Sequence, residues 1–92
     1  MGRVEGPNPQ QYAEIFARCC IERDIEYDQA AVNHIYDVWY GRRGIHSRAC
    51  HPRDILDHLV DIARFYQGRP ELNFDMVDRA CRSYFLDDSR KE

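Results

Sequence analysis

The chain predicts an all-α fold, a small four-helix bundle. Three observations carry that expectation. Apolar residues recur at three- and four-residue spacing in four separate stretches, no stretch sustains the two-residue alternation of a half-buried strand, and each stretch is bracketed by residues that start and stop helices.

The first helix opens at Asn8-Pro9-Gln10-Gln11, an N-cap, a proline at the first helical position and a glutamine placed to close a capping box. Tyr12, Ile15, Phe16 and Cys19 then share one face, and the helix should end near Arg23. Asp28 caps the second helix, whose apolar stripe is Val32, Ile35, Tyr36 and Trp39, with Gly41 as its stop. The third helix starts near Pro52. Ile55, Leu59, Ile62, Ala63 and Tyr66 line its core face, Leu56 and Val60 widen it, Gly68 closes it and Pro70 prevents continuation. Asn73 caps the fourth, where Val77, Ala80, Cys81 and Tyr84 repeat at helical spacing, and the tail from Asp87 to Glu92 is charged and expected to fray. Ninety-two residues make one domain, with an ordered core expected at about 9–86 and flexible ends.

Composition removes several function classes. A net charge of −3 gives no general attraction to nucleic acid or to an anionic membrane surface. No apolar run approaches the ~18 residues that span a bilayer. Met1 to Gln11 is polar and carries proline, which is not a secretory leader, so Cys19, Cys20, Cys50 and Cys81 are expected as reduced thiols in a cytoplasmic protein. Cys19, Cys20, Cys50, Cys81, His34, His46, His51 and His58 form no CxxC or HExxH arrangement, so no metal site is expected. Cys50 beside His51 could pair a nucleophile with a base, but neighbours in sequence seldom point at each other and no third orienting group is evident.

The run Cys50-His51-Pro52-Arg53-Asp54 is the most informative. Proline suits the first turn of a helix, where its missing N–H would be unpaired in any case. Arginine does not suit it, because the N-terminus already carries partial positive charge, a mismatch worth ~0.3–1 kcal/mol. Two readings follow. Arg53 helps form an anion pocket fit for phosphate, or Asp54 and Asp57 neutralise it and nothing binds. Arg42, Arg43 and Arg48 precede it with no acidic residue between them, a cluster able to grip phosphate or simply an exposed basic loop. Asp54, Asp57 and Asp61 recur along one flank of the third helix, a row that is either catalytic or a solvated face.

Taken together, Tyr12-Ala13-Glu14-Ile15-Phe16, the helix from Asp28 to Tyr40, His51-Pro52-Arg53-Asp54-Ile55-Leu56 and Asn73-Phe74-Asp75-Met76-Val77-Asp78-Arg79-Ala80 resemble the small helical lid domain of AAA+ ATPases, over roughly Pro9 to Phe85. The resemblance implies that Arg53 is the sensor 2 arginine, reaching the nucleotide's phosphates across an interdomain cleft. Arg53, Pro52 and Arg48 would form the nucleotide-facing edge. It further implies ATP and Mg2+ as cofactors of the parent protein, none held by the lid alone. The implied partners are a P-loop core on the same polypeptide and neighbouring subunits of a ring. Many family members carry Gly-Asp-Ala-Arg or Gly-Asn-Pro-Arg where this chain has Cys-His-Pro-Arg, so His51 receives no implied role. The Walker motifs, sensor 1 and arginine finger are not in this sequence, so the chain by itself is not expected to be an enzyme.

Two other functions fit the residues. A nucleic-acid module would send the third helix into a groove with the arginine loop on phosphates, although the aspartate row would then face backbone charge. A protein-interaction adaptor would instead use an exposed patch drawn from the aromatic residues.

Overall fold

A computed structural model of the chain describes residues 6–86. Among them there are four helices and no strand: α1 (Pro9–Glu22), α2 (Gln29–Ile35), α3 (His51–Phe65) and α4 (Phe74–Cys81). The small all-α bundle is as the periodicity predicted. The tail from Asp87 to Glu92, expected to fray, lies outside the described residues.

The caps form as expected. Asn8 accepts from the Gln11 amide at 2.8 Å and the Gln11 side chain accepts from the Asn8 amide at 3.1 Å, a closed capping box. Asp28 accepts from the Ala30 amide and Asn73 from the Met76 amide.

The second helix runs past its expected stop, and the second and fourth helices both end in widened turns. Past Ile35, α2 continues as wide π-type turns over Tyr36–Arg42, so Gly41 lies inside the helix rather than stopping it. In the same way α4 continues over Arg82–Leu86. The two extensions pack on each other: the Trp39 and Phe85 rings stack with centroids 5.7 Å apart, and Tyr40 meets Phe85 edge-on at 6.2 Å. Widened turns of this kind commonly mark functional regions of helices.

The ends of α1 and α3 share a second departure. Asp24 and Gln67 both take φ = 58°, in the left-handed region. The Ile25 amide donates to the Cys20 carbonyl and the Asp24 amide to Ile21, while Gly68 donates to Ala63 and Gln67 to Arg64. Both ends are Schellman motifs. The left-handed position after α3 is therefore filled by Gln67, one residue before the glycine expected there.

The core is one cluster. Tyr12, Phe16 and Cys20 of α1 meet Val32, Ile35 and Trp39 of α2 and its extension, Ile55, Leu56 and Leu59 of α3, and Val77, Ala80 and Cys81 of α4. On α1 the stripe is rotated slightly from the expected one, with Ile15 and Cys19 half-buried and Cys20 fully so. On α3 the correction concerns Tyr66. It is 62% exposed, because the helix ends at Phe65 and the chain turns away from the core there. Phe65 is 79% exposed. Trp39 Nε1 (3.3 Å) and His34 Nε2 (3.0 Å) share Asp78 Oδ1, which ties α2 and its extension to α4. Ahead of α1, the Pro7 carbonyl accepts from Tyr36 Oη and Ser47 Oγ, and a Cβ on Gly6 would collide with the Ser47 carbonyl oxygen.

Candidate functional site

The mouth of α3 is built from the residues before it. Helical geometry starts at His51, so Pro52 sits second in the helix rather than first, still within the turn whose amides lack intrahelical partners. Cys50 is the N-cap residue but its thiol bonds no amide of the turn. The imidazole of His51 fastens the entry instead. Its Nδ1 accepts from Tyr40 Oη at 2.9 Å and from the Arg48 amide at 3.3 Å, and its ring lies parallel to Tyr40. Because Nδ1 accepts from both, the neutral tautomer carries its proton on Nε2. Tyr12 Oη lies 2.6 Å from Tyr40 Oη. With Tyr40 donating to His51, Tyr12 donates to Tyr40, and a buried polar chain runs from α1 through the α2 extension to α3. Burial pushes the Tyr12 and Tyr40 hydroxyls well above the ordinary phenol range, so both stay protonated. Burial, reinforced by the Arg48 charge, pulls the His51 imidazole below its usual value against an opposing pull from Asp54.

His51 and Pro52 are buried, and Arg53 immediately after them points out. The Arg53 side chain is 60% exposed, and its Nε donates to Asp54 Oδ1 at 3.2 Å. Asp54 accepts on its other oxygen from Tyr84 Oη at 2.8 Å. Partial burial alone would raise the Asp54 carboxyl, but the Tyr84 and Arg53 hydrogen bonds and the Arg53 charge outweigh it and hold the group below its usual value.

The other residues singled out in the sequence take separate places. Arg48 is exposed, and its amide serves the turn. Pro52 is buried, so its ring anchors the helix start and presents no face to a ligand. The Arg43 guanidinium lies 4.5 Å from the Trp39 ring centroid, a cation–π contact. The aspartate row divides. Asp54 serves Tyr84 and Arg53, Asp57 pairs at 3.0 Å with Arg23, the C-cap of α1, and Asp61 lies beside Ile62, Phe65, Tyr66 and Arg79 around a shallow pocket. His58 donates from Nδ1 to the Asp54 carbonyl at 3.0 Å and packs against Tyr84.

No group of three or more metal-binding side chains converges among the described residues. All four cysteines are free. Burial raises the Cys20 thiol to about 11 and the Cys81 thiol further, the reverse of what a nucleophile needs. No helix of the described residues is long and apolar enough to cross a membrane.

Sequence reasoning singled out Arg53 but not Tyr84, Tyr40 or Tyr12, the residues packed and bonded around the start of its helix. Tyr84 and Tyr12 had only core spacing to recommend them, and Tyr40, although inside the expected second helix, carried no sign of its contact with His51.

No curated protein and no solved structure matches the chain. One family model does, over residues 8–83, from the N-cap of α1 into the extension of α4, and its description is "Domain of unknown function (DUF8689)". Covering most of the chain and all four helices, that match makes this protein a member of the DUF8689 family.

Proposed function

We propose that this domain is a lid that closes over a nucleotide held by a P-loop ATPase core, and that Arg53 is its phosphate-contacting residue. One observation carries the reading: Arg53 projects into solvent from the first turn of α3 while its two predecessors are locked into the core. A rigid base with an exposed guanidinium is what an arginine reaching across a cleft requires, because little conformational freedom is then lost on contact. A guanidinium beside a helix N-terminus suits a polyphosphate, and it would stabilise charge developing on the transferred phosphoryl group. Asp54 already occupies Arg53 Nε, so a phosphate must outcompete one carboxylate. Mg2+ would arrive with the nucleotide and the core; this chain's contribution is the arginine and the closing surface.

The reading frame upstream of Met1 is the first test. A Walker A and Walker B pair there supports the proposal, and a frame without a P-loop domain defeats it. In a polypeptide that does carry the core, Arg53→Ala should lower kcat for ATP hydrolysis by about 10²-fold or more, the usual scale for losing one charge-stabilising donor, with helical content unchanged. The isolated 92-residue chain should bind ATP more weakly than millimolar. A tighter dissociation constant would place the nucleotide site within the lid itself and contradict the division of labour.

A second reading, a helical adaptor for protein partners, is favoured by the exposure of Phe65, Tyr66, Phe74 and Ile21. Full ATPase activity in Arg53→Ala together with loss of partner binding in Phe65→Ala would select it.

A further inference from the structure

Asp54 is held on both oxygens. Arg53 Nε reaches Oδ1 from the same helix, and Tyr84 Oη reaches Oδ2 from the extension of α4. Tyr84 is itself fixed. Its ring meets His51 edge-on at 5.6 Å and His58 at 5.3 Å, and its neighbour Phe85 meets His51 at 5.0 Å. Consecutive residues of a regular α-helix diverge by ~100° around the axis. The widened turns of Arg82–Leu86 bring Tyr84 and Phe85 onto the same imidazole. The groups around the Asp54 carboxylate are therefore Arg53 and His51 on its own helix and Tyr84 on the α4 extension, while His58 bonds the Asp54 backbone carbonyl.

We propose that Tyr84 is a positioning residue: by fixing Asp54, it holds the Arg53 guanidinium in a parked orientation against its own helix, from which a phosphate must draw it. The functional half of this proposal rests on the lid reading of Arg53. The positional half does not. Oδ2 gives Tyr84 a short, charge-assisted bond, which orients Oδ1 toward Arg53 Nε. Without the phenol hydroxyl the carboxylate can turn about its own side chain and release Nε to water. The last turns of α4 thus reach the phosphate-facing arginine through one carboxylate, although no backbone links them locally.

The test uses the ¹⁵N-labelled 92-residue chain, reading hydrogen exchange at the Arg53 Nε–H, with the resonance assigned by its disappearance in Arg53→Lys. Tyr84→Phe retains the ring and removes the hydroxyl. A hydrogen bond of ordinary net strength predicts exchange faster by about two- to tenfold in this variant, with helical circular dichroism retained. Asp54→Asn should accelerate it at least as much, and it serves as the second variant should Tyr84→Phe fail to fold. An Arg53 exchange rate unchanged in a folded variant overturns the proposal. The functional half is read in a polypeptide carrying the core, where Tyr84→Phe should lower KM for ATP by a similar factor with kcat held within about twofold; an unchanged KM overturns that half. The positional half does not share its failure with the lid reading: unchanged hydrolysis in Arg53→Ala would sink the lid, and the functional half with it, and leave the exchange result standing.

Discussion

At His51, burial and hydrogen bonding act in the same direction. The imidazole is kept neutral because two donors converge on Nδ1 and because the core disfavours its charge. The sign of the pH effect follows. The folded value lies below the unfolded 6.5, so the unfolded chain takes up a proton more readily. This contribution to stability is complete above pH 6.5 and is lost as pH falls through 6.5 toward the lower folded value. Denaturant melts of the wild type should therefore shift to lower midpoints between pH 7.5 and 5.5, and His51→Asn should show a smaller shift. A wild-type midpoint that rises on acidification would contradict the assignment. Replacing His51 by Ala leaves the Tyr40 hydroxyl and the Arg48 amide without their acceptor, a loss of about 1–3 kcal/mol for each buried group left unpaired. The same scale explains what the sequence could tell about this site. Arg53 was legible because a cation in a first turn is out of place by a rule that needs only sequence. His51 was not legible, since a histidine beside a proline gives no hint that its ring, rather than the side chain at the cap position, will close the turn.

At the scale of elements, the caps and most of the helix extents were readable and the widened last turns of α2 and α4 were not. Asn8, Asp28 and Asn73 bond to amides two or three residues away, so the pattern contains its own geometry. The wide-turn extensions of α2 and α4 depend on each other, Trp39 stacking on Phe85 and Tyr40 meeting the same ring, and a partner more than forty residues away cannot be read from a local window. That coupling also overrode Gly41 as a stop. The helix ends yield a stability prediction. Gln67 holds a left-handed conformation that costs a residue with a Cβ roughly 1–2 kcal/mol, partly offset by the greater unfolded-state freedom of glycine. Gln67→Gly should therefore raise stability by about 0.5–1 kcal/mol in urea melts, and a loss would show that the side chain does more than the Schellman geometry indicates. Gly6→Ala should do the opposite. Its methyl group meets the Ser47 carbonyl oxygen, which is backbone and cannot rotate aside, at an expected cost of about 1–3 kcal/mol.

For the whole molecule, a single apolar cluster shared by all four helices predicts one cooperative transition. Leu59 is fully buried at its centre, and Leu59→Ala should cost about 2–5 kcal/mol, a large part of the total for a domain this size. Loss of the Arg23–Asp57 pair on the flank should cost no more than about 1 kcal/mol, since Asp57 is largely exposed. If the two changes cost the same, the bundle is held by its surface and not by this cluster. The four thiols are divided by the same packing, Cys19 and Cys50 half-buried and Cys20 and Cys81 enclosed. A maleimide probe would accordingly tag the folded chain at two positions, and the remaining two would react only in molecules that had come apart. Counting labels per molecule over time would then report how often the bundle opens, with no substitution introduced.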